Sequence, residues 1–189
     1  MFGAALRVER MWRVRIDANV IELRDRVTND GGRREPHMVL YHCNAGYPLL
    51  GERTSWKIDA SDTQPRDDVA ARAMDDWADG GVPQGDFAEQ IFTHKPHAVR
   101  DGWSEASVRN PALDGGTALA ISFRPEQLPG LFTWRMLGFG TYVMAVEPAN
   151  YTSVGGRLTA GEALPFIEPG EERAYVLRFE VRSWTSTRT

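Results

Sequence analysis

Histidine is the side chain best suited to proton transfer near neutral pH, and this chain of 189 residues has only four histidines. They are His37, His42, His94 and His97. His37 and His42 lie in one apolar run, five positions apart, so in a regular strand they point to opposite faces and do not share a pocket. A histidine that is only hydrogen-bonded within the core is the ordinary alternative to a catalytic one.

A glutamate at the end of a second apolar run is the best partner for His42. Glu147 ends this run just before Pro148 and shares a strand face with Val143 and Ala145. Partial loss of hydration at such a position raises the pKa of a carboxyl group and suits it to act as a general base. The alternative is an ordinary strand-end acid, in solvent or paired with one of the twenty arginines of the chain.

Other arrangements of reactive residues give weaker signals. His94 and His97 have a spacing that two metal ligands could use, but no cluster of further ligands stands near them in sequence, so we expect no metal. Cys43 follows His42 directly, and adjacent strand residues point to opposite faces, which argues against a cysteine nucleophile.

The six tryptophans suggest a different chemistry. Aromatic faces can stack on the apolar faces of sugars while neighbouring polar groups bind the hydroxyls. Trp103 and Trp134 are the candidates for this role, with core packing as the alternative for each.

Length, composition and charge indicate an ordinary globular protein. A chain with 42% hydrophobic and 25% charged residues is long enough for one domain, so we expect a single domain over residues 1–189. The net charge of −4 and the scattered arginines argue against a nucleic-acid partner. A single cysteine, the lack of an apolar run of membrane-spanning length and an N-terminus without a signal-peptide stretch predict a soluble, cytoplasmic protein with no membrane partner.

The elements that position these residues are predicted to be mainly β-strands, because apolar residues alternate with polar ones between short Gly- and Pro-containing turns. The predicted strands are 14–16 and 21–27, which form a hairpin, a strand at 37–43 buried between two layers, and 89–93, 103–109, 117–123, 133–137, 140–147 and 172–182. One short helix is predicted at 67–77, where Val69, Ala73 and Trp77 recur every four residues behind Asp67. We therefore expect an all-β sandwich or barrel.

Two longer motifs resemble those of a known family. The segment PHMVLYHCNAGYPLL starts at Pro36, and the segment WRMLGFGTYVMAVEPAN runs from Trp134 to Asn150. Both resemble the aldose 1-epimerase, or galactose mutarotase-like, superfamily, and in particular a bacterial branch known as a domain of unknown function. The shorter motifs AEQIF, DGW, LP and PGE follow in the expected order, and the similarity extends from about Leu23 to Glu180.

The resemblance implies an antiparallel β-sandwich of the galactose mutarotase-like (supersandwich) kind that binds a monosaccharide or sugar derivative. It also implies interconversion of sugar anomers by general acid–base catalysis, with Glu147 as the base, His42 as the acid and no cofactor. Further residues of the matched motifs are implied to line the sugar site, namely His37, Asn44, Glu89, Gln90, Trp134 and Asn150. The alternative is a non-catalytic carbohydrate-binding protein that keeps part of the sugar groove.

Members of this family are longer than 189 residues, so the resemblance implies that this chain is the C-terminal portion of an N-terminally truncated family fold. In the longer members an arginine from the N-terminal half reaches the sugar, and Arg124 and Arg135 are considered as replacements for it. Missing strands would leave an exposed sheet edge, and such edges pair with other chains. We therefore expect a homodimer or completion of the sheet by another chain.

Overall fold

Two antiparallel sheets that pack face to face form most of the structure, a computed structural model that describes residues 3–152 and 164–184. The elements in chain order are β1 Leu6–Val14, β2 Val20–Asn29, β3 Glu35–Pro36, β4 Cys43–Ala45, β5 Ser55–Ile58, β6 Ala60–Pro65, α1 Asp68–Ala71, β7 Gln90–Pro96, β8 Ser104–Asn110, β9 Thr117–Phe123, β10 Gly130–Gly138, β11 Thr141–Ala149, β12 Phe166–Ile167 and β13 Glu172–Ser183.

One sheet has six strands in the order β1-β2-β13-β9-β8-β5, and the other has five in the order β4-β11-β10-β7-β6. The short strands β3 and β12 pair with each other. Strand neighbours pair antiparallel throughout, as expected for sheets linked by hairpins and short connections. The prediction of an all-β antiparallel sandwich is therefore confirmed.

The core lies between the two sheets and is built from the inward positions of the alternating strands. Leu177 and Phe123 of the six-stranded sheet face Met144, Leu131 and other residues of the five-stranded sheet, and all four are essentially buried. Because every second residue of β10 and β11 enters this core, the residues between them point to the open outer face of the five-stranded sheet.

The predicted hairpin is present, but its first strand lies earlier in the chain, so the predicted strand at 14–16 is wrong except at Val14, and residues 15–19 connect the two strands. Strand β1 begins at Leu6 and pairs with β2 in one unbroken register from Leu6 opposite Asn29 to Val14 opposite Ile21. The predicted strands at 117–123 and 172–182 match β9 and β13 within one residue.

The predicted helix is present but short. Helix α1 starts after Asp67, whose carboxylate accepts hydrogen bonds from the backbone N–H groups of Val69 and Ala70, both at 3.0 Å. It ends at Ala71, and turns follow up to residue 79. The four-residue spacing that extended the prediction to Trp77 reflects packing of that side chain on Phe92 and not a continuous helix.

The prediction of a strand over 37–43 is wrong for most of its length. Regular pairing begins only at Cys43, and the preceding segment forms one isolated β-bridge with β11, between Leu40 and Ala149. Pro148 of β11 stands beside Tyr41 and has no N–H to donate, so the hydrogen-bond ladder is interrupted there.

Strand β7 extends three residues past the predicted end at residue 93, up to Pro96. His94, inside β7, is buried, and its two ring nitrogens contact the hydroxyls of Thr63 (3.1 Å) and Thr133 (2.8 Å). This histidine is a core residue satisfied by hydrogen bonds, the ordinary alternative for a buried histidine. The described part of the chain contains no helix with the length and apolarity that a membrane span requires.

Candidate active site

His42 and Glu147 form a direct pair on the open face of the five-stranded sheet. Nε2 of His42 lies 3.0 Å from Oε1 of Glu147. The two side chains have very different surroundings, because the Glu147 side chain is 9% exposed and the His42 side chain 45% exposed. A histidine and a carboxylate in contact place an acid and a base side by side, which is the basic requirement for a general acid–base pair.

The pairing of β4 with β11 brings these two residues together. Cys43 lies opposite Val146 and Asn44 opposite Ala145, and the bridge from Leu40 to Ala149 continues the same register beyond the regular strand. In this register His42 stands directly opposite Glu147, where side chains on one face are close enough to touch. The segment before β4 keeps its alignment with β11 although it is not itself a regular strand.

Burial decides the electrostatics of the pair. Desolvation raises the pKa of the Glu147 carboxyl, the nearby imidazole of His42 lowers it, and the negative charge of Glu89 raises it further. The net effect is a raised pKa, which lies closer to neutral pH than the pKa of an exposed glutamate. A glutamate with a raised pKa is a stronger base for proton abstraction than an ordinary one.

Trp134 forms the wall beside this pair. Its ring meets the ring of His42 edge-on, with centroids 5.4 Å apart and an interplanar angle of 69°. The indole Nε1–H donates a hydrogen bond of 3.1 Å to Glu89, which also accepts a bond of 3.0 Å from Arg66. These two donors lower the pKa of Glu89, so it remains a carboxylate that holds the indole ring in place.

Two further aromatic rings complete the face on the other side of Glu147. Phe132 lies opposite Glu147 in the register of β10 and β11, and its ring centroid is 5.8 Å from that of Tyr151. Gly130 allows this arrangement, because a Cβ atom at that position would come within 1.7 Å of the Tyr151 carbonyl oxygen. The backbone after β11 can therefore cross closely over the start of β10.

Asn44 lies on the same face as Glu147, two register positions further along β11, and its side chain is exposed. Together with His42, Glu147, Trp134 and Glu89 it forms one continuous surface. Five of the eight residues singled out from the sequence are thus brought together.

His37 and Asn150 have other partners. His37 is buried, and its Nε2 lies 2.8 Å from the Tyr175 hydroxyl. The Asn150 side chain accepts from the backbone N–H of Val39 and donates to the His37 carbonyl oxygen at 2.8 Å. These two side chains are not brought to the surface around Glu147, because the His37 ring contacts Tyr175 of β13 and the Asn150 amide binds the backbone of the segment before β4.

Gln90 points to the opposite side of the sheet from Trp134. It lies opposite Arg135 in the register, and its amide oxygen accepts a hydrogen bond of 2.5 Å from Arg135 Nε. Arg135 is 3% exposed and also donates to the backbone oxygens of Asp76 and Asp79, so it anchors the turns after α1. Neither Gln90 nor Arg135 is available to a ligand beside Glu147.

A sequence model of the family called Domain of unknown function (DUF4432) matches residues 1–181. The chain belongs to the DUF4432 family. No curated protein matches this DUF4432 chain in sequence.

Solved structures share the fold of this DUF4432 chain. A "putative aldose 1-epimerase" from Klebsiella pneumoniae superposes with a TM-score of 0.84 at 26% identity, over 94% of this chain and 47% of its own. A protein with the same description from Escherichia coli K12 gives 0.64 at 17% identity, over 96% and 62%. A galactose mutarotase-like protein from Clostridium acetobutylicum gives 0.61 at 14% identity, over 87% and 53%. The fold is galactose mutarotase-like, and the chain spans about half the length of these proteins.

A groove of about 980 Å³ lies elsewhere on the DUF4432 chain, on the outer face of the six-stranded sheet. Trp103, one of the two tryptophan candidates, and Arg178 line this groove. The guanidinium groups of Arg124 and Arg178 lie 4.7 and 4.2 Å from the centroid of the Trp103 ring. Many of the charges in this groove are already paired, as Arg178 is with Glu22. Trp103 and Arg124 therefore do not belong to the surface around Glu147, and we assign the candidate site to the face that carries the contact between His42 and Glu147.

Arg66 and Tyr151 are site residues that the sequence did not reveal. Arg66 directly precedes the Asp67 cap of α1 and reaches Glu89 from there, a contact that depends on the packing of α1 beside β7. Tyr151 follows the second matched motif by one residue, and that adjacency is the signal that could have indicated it. Among the described residues, no group of three or more His, Cys, Asp or Glu side chains is arranged to hold a metal ion.

Proposed function

We propose that this protein is a carbohydrate-active isomerase of the aldose 1-epimerase type, which interconverts the α and β anomers of a free sugar. The observation that carries the proposal is the contact of 3.0 Å between His42 and the buried carboxyl of Glu147. The fold shared with structures described as aldose 1-epimerases supports it, but fold similarity alone does not establish activity.

The proposed reaction consists of proton transfers and one reversible bond cleavage. The Glu147 carboxylate takes the proton of the hydroxyl on C1 while protonated His42 gives a proton to the ring oxygen, and the bond between C1 and the ring oxygen breaks. The open-chain aldehyde rotates about the C1–C2 bond. Reclosure on the other face of C1 runs the two transfers backwards, so acid and base are both restored and no atom is gained or lost.

The geometry suits this reaction because both reacting oxygens are bonded to the same carbon atom. An acid and a base that act on them must lie side by side on one face of the sugar, as His42 and Glu147 do. The exposure of His42 lets its ring swing away from Glu147 to admit the substrate, while the buried carboxyl stays fixed by its strand. Pre-positioned acid and base groups of this kind contribute about 10²–10⁴ in rate.

The same face provides a platform for the sugar. The Trp134 ring, fixed by Glu89, offers an apolar surface for the C–H face of a pyranose, and Asn44 offers an amide to the hydroxyls. Arg66 adds a cation at the rim, where it is held by Glu89 and Asp67. These residues bind and orient the sugar, whereas His42 and Glu147 carry out the proton transfers.

Anomer exchange is measurable by NMR of the anomeric protons of freshly dissolved aldoses, with and without the protein. We expect faster exchange with the intact chain, and loss of about 10²-fold or more in kcat for both Glu147→Gln and His42→Asn. Glu126→Gln is the matched control, because Glu126 is an exposed glutamate away from this face. Sugar binding, followed by chemical-shift changes of the protein, should survive both substitutions.

A specific observation also supports the alternative of a non-catalytic sugar-binding protein. The chain spans 47% of the structurally similar protein from Klebsiella pneumoniae, and a protein that keeps only part of a sugar groove would bind a sugar without catalysing anomer exchange. Binding of an aldose at the Trp134 face without any acceleration of anomer exchange would favour this alternative and reject the isomerase. If neither binding nor exchange is seen and the variants behave like the intact chain, the assignment of the site is wrong as well.

A further inference from the structure

The outer edge strand of the six-stranded sheet exposes an apolar surface. In the part of the chain that the structure describes, strand β1 pairs only with β2, so its other edge is free there. Val8, Trp12 and Val14 are 58%, 55% and 64% exposed, respectively. Long edge strands with exposed apolar side chains are a template for pairing with another chain, and natural proteins usually protect or cover them.

These three side chains point toward the core side of the sheet. Arg10, which lies between them in the alternation, reaches Asp25 with two hydrogen bonds of 2.7 and 2.6 Å. Asp25 is buried and also accepts a bond from the Tyr41 hydroxyl. The apolar face of β1 is therefore a continuation of the core face of the sheet, at a place that the five-stranded sheet does not cover.

We propose that a second copy of this chain covers this edge by antiparallel pairing of β1 with its equivalent about a two-fold axis at Met11. In this register Val8 of one copy faces Val14 of the other, and Arg10 faces Trp12, so an apolar pair and a cation–π pair lie on the core side. On the opposite face of the sheet, Glu9 of each copy faces Arg13 of the other, which gives two opposite-charge pairs. Met11, which is 56% exposed, faces Met11 of the other copy at the axis.

Neighbouring two-fold registers are less favourable. A centre at Arg10 would place Arg10 against its copy and Arg7 against Arg13, and a centre at Glu9 would place two glutamates together. Like charges directly opposite each other destabilise a strand pair. A centre at Trp12 shortens the pairing to the last five residues of β1. The register at Met11 is the one that combines opposite charges with a pairing from Val8 to Val14.

The pairing would join two six-stranded sheets into one continuous sheet. It leaves the face with Glu147 open, because that face belongs to the five-stranded sheet. The second copy therefore contributes no residue to the candidate active site, and this inference stands or falls independently of the proposed function.

Size-exclusion chromatography with light scattering tests the pairing by a charge exchange. The intact chain should run at twice the 21.2 kDa of one chain. Glu9→Arg places two arginine pairs in the interface and Arg13→Glu places two glutamate pairs there, so each variant alone should run as a monomer. An equimolar mixture of the two variants restores both opposite-charge pairs and should run as a dimer.

Folding of each variant is followed by circular dichroism, so that loss of the dimer is separated from loss of the fold. A dimer that survives either single substitution would place the interface elsewhere and overturn the proposal. A monomeric intact chain would overturn it, and so would a mixture that stays monomeric although both variants are folded. Met11→Lys, which sets two ammonium groups against each other at the axis, should behave as the single charge variants do.

Discussion

Glu147 stands directly opposite His42 where β11 meets the segment before β4, and the two side chains touch at 3.0 Å although only His42 has substantial contact with solvent. The buried partner has a fixed position and a raised pKa. The exposed partner can move and can exchange its proton with water or substrate. This division of roles leads to predictions that separate the chemistry of the site from the scaffold that supports it.

The acidic limb of the pH profile of kcat/KM should lie at a higher pH than the pKa of an ordinary exposed glutamate. Because the base must be ionised, kcat/KM for anomer exchange falls as the pH decreases through the raised pKa of Glu147. The charge of Glu89 is one cause of that rise, so Glu89→Gln should move the acidic limb to lower pH. A limb that stays in place in Glu89→Gln, or that moves equally in Glu126→Gln, would contradict this assignment.

Substitution of Trp134 should weaken sugar binding more than it slows the chemistry. Trp134→Ala removes the aromatic face, and we expect a rise in Kd of roughly tenfold, equivalent to about 1.4 kcal/mol. Trp134→Phe keeps an aromatic face but loses the hydrogen bond to Glu89, so it should fall between Trp134→Ala and the intact chain. Isothermal titration with the preferred aldose gives both values, and an unchanged Kd in Trp134→Ala would remove the ring from the binding surface.

Arg135 should matter for stability and not for exchange. It is almost completely buried, and its removal leaves the carbonyl oxygens of Asp76 and Asp79 without their donor. We expect Arg135→Met to lower the free energy of unfolding by about 2–4 kcal/mol in urea denaturation. The exposed Arg53 provides the control, and Arg53→Met should change it by less than about 0.5 kcal/mol. Equal effects of the two substitutions would refute the anchoring role.

His94 should make the fold sensitive to mild acid. Burial lowers the pKa of His94 to about 3, so the folded chain keeps it neutral, whereas an unfolded histidine takes up a proton near pH 6.5. The unfolded state therefore binds more protons below pH 6.5, and stability falls as the pH decreases toward about 3. Between pH 7 and 5 this residue alone should account for a loss of about 2 kcal/mol.

Urea denaturation of the intact chain and of His94→Gln at both pH values isolates this effect. His37 also has a pKa lowered by burial, and its contribution remains in both proteins. His94→Gln should be less stable than the intact chain at pH 7 but should lose less stability on acidification. Parallel pH dependence in the two proteins would show that His94 is not the residue responsible.

The pair of His42 and Glu147 could be predicted because strand alternation and two sequence motifs pointed to the same residues. The same alternation explains why Gln90 and Arg135 lie on the opposite face of the sheet from Glu147. Arg135 follows Trp134 directly and therefore lies on the opposite face, and Gln90 is its partner in the register. Alternation within each strand does not determine which strands become neighbours, and only the folded sheet shows that Gln90 lies beside Arg135.

The placement of His37 and Asn150 could not be derived from a periodic pattern. The segment before β4 is not a regular strand, since Pro148 interrupts its pairing with β11, and side-chain directions there follow from individual hydrogen bonds. The contact of Arg66 with Glu89 likewise depends on how α1 packs beside β7. Local patterns identified the strands and their faces, whereas contacts between distant irregular segments arose only from the assembled fold.

The most direct test of the central claim is the rate of exchange between the two anomers of an aldose, measured by NMR for the intact chain, for Glu147→Gln and for Glu126→Gln at the same concentration. If Glu147 is the base, the intact chain and Glu126→Gln accelerate the exchange, whereas Glu147→Gln gives a rate indistinguishable from that of the protein-free sugar. Equal exchange rates for all three proteins would contradict this role of Glu147.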